Sequence, residues 1–362
     1  MSARAKILLI GKGERKMKKS ISVLCILVLL MGLLTGCGGG GDTEQPAGDT
    51  SGDYLLRIAT ASAETQPYTA VLYDLEKTVE EQTDGHVQVE IYPAAQLGGE
   101  EDMLRKTMTG TIESCITSVA SIASYKSDLY LLYAPFMYST IDAVKTVAGS
   151  DMLVELMGCI NDLGLTHVGI TTSGGTTFAT KDELKSLDDF KGLKLRSPSL
   201  EVYLNVYNAI GVSPTPIPYA EVFTALQQGT VDGFENSLTT IATGNYHEAG
   251  VKYVWATNQI FGWMDYVVNT EWLESLPDEY KTIVLDAFTA AADGSLQSTW
   301  DMDMEVAESG VYNVHFPTDE ELAQLQAMTV SVTDGYVADL KETVGVDFLK
   351  EWFEMTNYAY EF

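Results

Sequence analysis

Residues 191–216, KGLKLRSPSLEVYLNVYNAIGVSPTP, read as a strand, a helix and a second strand in quick succession. KLR is short and extended, helical spacing of apolar residues runs from 200 to 210, and GVSPTP returns to extended chain. A helix between two strands lets them lie parallel, because parallel neighbours need a crossover rather than a tight turn. The unit therefore points to an α/β protein in which helices cover a mainly parallel sheet. Arg196 closes the first of these strands. With 51 Asp/Glu against 22 Lys/Arg in the chain, a structural partner for it is easy to find.

The same alternation runs through the flanking sequence. YLLRIAT (54–60) and HVQVEIYP (86–93) read as strands, separated by a helix over 65–82 whose apolar stripe is Leu72, Leu75 and Val79. A short helix follows over 100–108, ending near Gly110; then come a buried strand SCITSVAS, a helix over 142–163 and the strand LTHVGITT (165–172). Ser186-Leu187-Asp188-Asp189 has the spacing of a capping box that opens one helical turn before Gly192. Beyond the opening unit, 219–228 is a helix with Val222, Ala225 and Leu226 on one face and Gly229 at its C′ position. VDGFEN, KYVWAT and WMDYVVN are strands. A long helix from 278 to about 309, the strand VYNVHF and two terminal helices complete the chain, and no repeat of 20 to 50 residues is visible.

The 362 residues are 46% apolar and 20% charged, which suits one large domain or two lobes with a sizeable core. The N-terminus differs. Lys16, Lys18 and Lys19 precede the apolar run ISVLCILVLLMGLL, whose 14 residues fall short of the roughly 20 needed to span a bilayer. Leu34-Thr35-Gly36-Cys37 then resembles the lipobox of bacterial lipoproteins, in which the cysteine is lipidated and becomes the mature N-terminus. Residues 1–36 are thus expected to be a signal peptide, with Met17 able to start it unaided. Residues 37–53 would be the lipidated Cys37 and a flexible tether, since GGGGDTEQPAGDTSGD has no apolar periodicity. The expected location is extracytoplasmic, lipid-anchored to the outer face of the cell membrane. Residues 1–36 carry seven Lys/Arg and one Asp/Glu, so 15 of the 22 cations and 50 of the 51 acids would remain, a net charge of −35. Such a surface repels nucleic acid and anionic headgroups. A site for an anion must then be local and sheltered.

Motifs for enzyme chemistry are sparse. The chain lacks GxSxG and GxxxxGK[ST], its mature part lacks GxGxxG, and His247-Glu248 has no second histidine at zincin spacing. His86, His167, His247 and His315 fall in separate segments and read as strand or surface histidines. Cys115 and Cys159 read as small buried thiols rather than a disulfide, and no ligand spacing for a metal occurs. Asp301 and Asp303 lack the glycine a calcium loop needs and read as a solvated helix face. No cofactor and no metal are expected.

DDFKGLKLRSP (188–198), PTPIPYAEVFTALQQGTVDGFEN (214–236) and KYVWATNQIFGW (252–263) together resemble the solute-binding subunits of TRAP transporters, the DctP family. YPAAQLGGEEDMLRKTMTG (92–110) resembles the same family's region after its second strand, and the likeness extends over 54–362. The resemblance implies a periplasmic-binding-protein-like flytrap of two α/β lobes with crossing strands and a long inter-lobe helix. It implies a small organic acid as ligand, handed to permease subunits driven by an ion gradient, with no enzymatic step. The lobes would be 54–173 with about 262–301, and 174–261 with about 302–362 and the terminal helices.

In the family the arginine of the GLKxR motif pairs with the ligand carboxylate; here it is Arg196. A planar guanidinium matches a carboxylate with two parallel N–H bonds. From side-chain chemistry alone a structural salt bridge remains the simpler reading, and the surrounding motifs tip it to the ligand. Asn236 matches an amide that bonds the same carboxylate, and Tyr219 an aromatic that packs on the ligand. Phe261, with Trp263 close by, falls where an aromatic wall often stands, although both could be core residues. Glu64 and Thr65 are candidates for a polar contact after the first strand, as is Ser118 after the third. Some members carry a second arginine about twenty residues before the first; this chain reads GGTTF and has Thr176 there. One firm cation favours a monocarboxylate, unless Lys181 or Lys185 approaches the cleft. A binding lipoprotein of an ATP-driven importer or a chemoreceptor, or a secreted hydrolase, would share parts of this pattern.

Overall fold

The computed structural model of the protein describes residues 53–138 and 140–362. The expected signal peptide, Cys37 and nearly all of the tether lie outside the described residues. Two sheets organise the rest. The first has the order β2-β1-β3-β10-β4, built from β1 (Tyr54–Thr60), β2 (Val87–Tyr92), β3 (Ser114–Ser118), β4 (Leu165–Gly175) and β10 (Phe261–Asn269). The second has the order β11-β9-β5-β8-β6-β7, from β5 (Thr177–Thr180), β6 (Lys194–Ser197), β7 (Ser213–Pro216), β8 (Gly233–Asn236), β9 (Tyr253–Trp255) and β11 (Asn313–His315).

The opening unit of the sequence is present as read, with β6 parallel to β7 across the helix Glu201–Ile210. β1 is likewise parallel to β2 and β3. The sheets are nonetheless mixed. β10 runs antiparallel between β3 and β4, and β5 antiparallel between β8 and β9. These reversed strands come from the chain passing between the sheets. β4 runs into β5 across the single residue Thr176, and the return passage leads from β9 to β10. Thr176 ties the two passages together, its backbone N–H and its hydroxyl both donating to the Ile260 carbonyl at 2.8 and 2.9 Å.

The long helix Asp278–Glu308 extends about 46 Å at 1.5 Å per residue. Its buried residues Val284, Ala287, Phe288, Ala291, Ala292, Ser295, Leu296 and Thr299 recur at three- and four-residue steps, forming the stripe that packs on β4 and the helix Leu72–Gln82. Near its C-terminal end it meets the short helix Leu238–Thr243, which follows β8. There Asp303 departs from the solvated face expected of it: it is half-buried and accepts the Thr239 backbone N–H at 2.6 Å, capping that short helix, and burial pushes its carboxyl up to about 7. Two further local readings change. The expected helix over 142–163 breaks at Gly149, where Ser150 caps a second helix, and the strand SCITSVAS stops at Ser118, which caps the helix Val119–Ala123. Cys115 and Cys159 are both free thiols, the first buried and the second half-buried.

Gly174, at the end of β4, has φ +104°, and a Cβ there would stand 2.4 Å from Asp303 Oδ2 and 2.7 Å from Ser237 Cβ. A left-handed backbone and a steric overlap therefore coincide where the chain leaves the first sheet. Gly174→Ala should cost about 2 kcal/mol or more in chemical denaturation. Gly294, on the exposed side of the long helix with nothing within 4 Å of a built Cβ, should respond in the opposite sense, Gly294→Ala gaining about 0.5–1 kcal/mol. Equal effects at the two positions would refute the strained passage.

Candidate functional site

A cavity of about 330 Å³ opens where the two sheets meet, of a size that suits a small organic molecule. Ser118 at the end of β3 and Met264 of β10 line it from one sheet; Arg196 of β6 and Glu235 and Asn236 of β8 line it from the other. Tyr203 and Tyr219 add aromatic surface.

The parallel register of β6 and β8, with Arg196 opposite Phe234, sets Arg196 beside Glu235. Arg196 is only 3% exposed. Its Nε donates to the Ile217 carbonyl at 2.8 Å and its Nη1 to Glu235 Oε1 at 2.9 Å. Both of the readings open for this arginine thus have a place: it has a buried carboxylate partner, and it lines the cavity. Among the described residues no protein acceptor meets its Nη2. Asn236 is oriented by its neighbours, its Oδ1 accepting the Ser237 N–H at 2.9 Å and its carbonyl accepting the Thr177 hydroxyl at 2.8 Å. Its Nδ2 has no acceptor among the described residues.

Burial pushes the Glu235 carboxyl up to about 7, against the opposing pull of the Arg196 guanidinium and a hydrogen bond from Tyr207. The buried pair therefore carries a fractional charge near neutral pH. Protonating Glu235 leaves Arg196 as an uncompensated cation in the cavity wall.

The remaining sequence candidates separate. Thr176 lines the cavity, but its hydroxyl is committed to Ile260. Ser118 lines it too, while its Oγ accepts the Ala120 N–H. Phe261 and Trp263 do not: both are buried in the core, packed edge-to-face on each other with ring centroids 5.5 Å apart. The cause is strand alternation. Gly262 and Met264 of β10 reach the cavity, so their neighbours face away from it. Glu64 and Thr65 are exposed outside the lining, where Ala61 stands instead. Neither Lys181 nor Lys185 reaches the cavity, the former donating to the Leu226 carbonyl. None of the histidines lines it; His86, His167 and His315 pair with Asp53, Asp265 and Glu321.

Three charged features were not anticipated. Glu235 sits one residue before Asn236, inside a motif already singled out. Arg105 is a second cation at the cavity, half-exposed and 3.5 Å from Asp102. Glu100 opens the helix Glu100–Met108, and its Oε1 accepts the Ser118 N–H at 2.6 Å and the Ser121 and Thr117 hydroxyls at 3.0 and 3.2 Å. In the sequence, GGEED shows only as an acidic first helical turn, which favours the helix dipole whatever else it does.

Two α/β lobes, strands crossing between them and a cleft lined from both sides define a solute-binding protein of the flytrap class. Residues 58–339 match the model of DctP, the bacterial extracellular solute-binding protein family 7. The chain belongs to that family, whose members are the solute-binding subunits of TRAP transporters. It is 29% identical over 210 residues to a solute-binding protein of Roseobacter denitrificans, a match covering 58% of this chain and just under two thirds, 64%, of that relative. It is also 29% identical over 251 residues to the sialic acid-binding periplasmic protein SiaP of Vibrio cholerae, covering 67% of this chain and 77% of the relative. The crystal structure of the sugar acid binding protein DctPAm from Advenella mimigardefordensis, in complex with galactonate, superposes with a TM-score of 0.77 at 23% identity. It covers 84% of this chain and 97% of that one, and at that identity it shows the fold. Among the described residues no helix is long and apolar enough to cross a membrane.

Because the Glu235 carboxyl titrates about 7 in the folded chain and near 4.5 when unperturbed, the stability it contributes is fully present below about 4.5 and is lost as the pH rises through about 7. Carboxyl-detected NMR should find Glu235 titrating near 7. Glu235→Gln should flatten the stability–pH curve across that window relative to the wild type, leaving the share of Asp303 in both. An ordinary carboxylate titration at Glu235 would contradict this account of the pair.

Proposed function

We propose that this chain captures a small organic acid outside the cytoplasm and delivers it to TRAP permease subunits, with Arg196 and Asn236 gripping the acid's carboxylate. The observation that carries the reading is a buried guanidinium in the wall of a ligand-sized cavity, with Nη2 donors that no described protein group accepts. A carboxylate supplies the missing acceptors, each charge-assisted bond being worth about 1.5–3 kcal/mol. Asn236 Nδ2 adds a third donor, Tyr219 a packing surface, and Ser118 and Thr176 lesser polar contacts. Similar proteins are named for, or solved with, sialic acid, galactonate and C4-dicarboxylates, all of them organic acids. We read the solute as having one carboxylate, because Glu100, Glu101, Asp102 and Glu235 outnumber Arg105 and Arg196 around the cavity. Arg105, exposed and shared with Asp102, replaces little of the second arginine that Thr176 displaces.

Closure follows from the same contacts. Lobe I, 54–173 with about 262–301, and lobe II, 174–261 with about 302–362, would rotate about the two strand passages. Only the closed form makes the full set of bonds. Shifting closure from 1:99 to 99:1 takes about 5.5 kcal/mol of differential binding, within reach of two or three charge-assisted bonds and an aromatic contact. The lipobox reading places the protein on the outer face of the membrane through Cys37, tethered near the permease.

Calorimetry with a panel of carboxylic acids should find a ligand whose affinity falls at least about a hundredfold in Arg196→Ala. In Arg196→Lys it should fall less, because the charge stays and the fork is lost. Arg196→Ala/Glu235→Gln, which leaves no unpaired carboxylate behind, should bind as poorly as the single variant. Undiminished affinity in both alanine variants would sink the clamp. Cys37→Ala should release the protein from the membrane fraction into the medium, and unchanged retention would contradict the lipid anchor.

A further inference from the structure

We propose that Glu235 is a proton site coupled to the cavity: the solute's carboxylate is bound together with a proton, taken from solvent onto the Glu235 carboxyl, so that binding tightens as the pH falls. This rests on the carboxylate-binding reading of Arg196. The pairing of Arg196 with Glu235 is thinner than that of Arg57 with Glu113 at the first sheet. Glu113 receives three donors from Arg57, the backbone N–H and Nε on Oε2 at 2.9 and 2.8 Å and Nη2 on Oε1 at 2.6 Å, with the Arg57 side chain 32% exposed. Glu235 receives one from its arginine, Nη1 on Oε1 at 2.9 Å, and both side chains are almost wholly buried. When a solute carboxylate takes the Nη2 donors, one guanidinium has two anions to balance in a sheltered wall. Like charges that close do not both stay ionised, and the proton goes to the group that is easier to protonate. Burial holds the Glu235 carboxyl up at about 7, whereas an ordinary solute acid ionises at about 4 to 5 in water.

The groups around Glu235 include one cation and no competing base. Arg196 faces it from β6, Tyr203 and Tyr207 from the helix Glu201–Ile210, and Tyr219 and Tyr246 from the turns beyond β7 and beyond the helix Leu238–Thr243. Its register partner on β5 is the uncharged Phe178. Burial pushes all four tyrosine hydroxyls above their ordinary value, so they stay neutral. Tyr207 donates to the Glu235 carboxylate, and its hydroxyl oxygen can accept from the protonated acid, so the added proton keeps a partner. Across the cavity, Glu100 and Asp102 are half-buried and Glu101 is exposed, within reach of screening water, and Asp102 has Lys106 at 2.7 Å. Asp303, the other carboxyl that burial holds at about 7, stands outside the cavity lining on the Thr239 N–H.

The test is calorimetry of the full mature chain with acetate, lactate, pyruvate, benzoate and gluconate, in buffers of different ionisation enthalpy at one pH. The slope of observed enthalpy against buffer enthalpy counts the protons taken up. An acid that binds should take up about one proton at about pH 8, where free Glu235 is ionised, and about none at about pH 5.5, where it is already protonated. Its affinity is then highest below about 7 and is lost as the pH rises through that value, a change of about tenfold between about pH 6 and 8. Glu235→Gln keeps an Oε1 for Arg196 Nη1 and has no proton to gain, so the buffer dependence and the pH slope should both vanish. Asp303→Asn should keep both. Carboxyl-detected NMR on wild type, which needs no variant, should show the Glu235 titration moving upward when the acid saturates the site. If an acid binds with no proton uptake at about pH 8 and no movement of Glu235, or if the uptake persists in Glu235→Gln, the inference fails and the carboxylate clamp stands. If none of the acids binds, both fail together.

Discussion

The buried pair of Arg196 and Glu235 constrains everything around it. Two charged groups withdrawn from water cost several kcal/mol each in solvation, and their mutual attraction offsets this only with good geometry and further hydrogen bonds. The offset here is incomplete, since burial still holds the Glu235 carboxyl near 7 despite an arginine at 2.9 Å. A core built for stability alone would gain by replacing such a pair with apolar residues. Its position in the wall of the cavity fits the proposed use, in which the pair holds the guanidinium in place and leaves part of its donor fork for a solute.

The proposed closure would move the two sheets about the seam where they meet. Several polar contacts lie at the seam. Thr176 and Ile260 join the strand passages, Asp303 caps the helix after β8 beside Gly174, and Gln66 exchanges hydrogen bonds with Thr240 and Thr243 at 3.2 and 2.7 Å. The largest apolar cluster runs through both sheets, from Ala59, Ile170 and Trp263 of the first to Phe178, Leu195 and Trp255 of the second, and two smaller clusters lie to either side, one beneath the first sheet and the long helix, another against the second sheet.

What could be read in the sequence follows the range of the interactions that decide each feature. Glu100–Met108, the long helix and the capping box at Ser186 are local, and their spacing alone places them. Arg196 and Asn236 lie within motifs long enough to locate them in a family. The pairing of Arg196 with Glu235, 39 residues away, was not legible, because any of fifty acids could have served. Phe261 and Trp263, open in the sequence between cavity wall and core, are core residues, because one step along a strand sends a side chain to the opposite face. Asp303 looked solvated because its partner, Thr239, is 64 residues distant on a helix whose polar sequence gave no periodicity. The signal for that helix was there in Ser237, which caps it by accepting the Thr240 N–H at 3.1 Å.

The most direct measurement is a crystal structure of the mature protein with the acid that it retains through purification or binds best. The account predicts the ligand carboxylate within about 2.7–2.9 Å of Arg196 Nη2, with Asn236 Nδ2 donating to the same group and Nη1 still on Glu235. A carboxylate bound elsewhere in the cavity, with Arg196 contacting only Glu235 and Ile217, would contradict it.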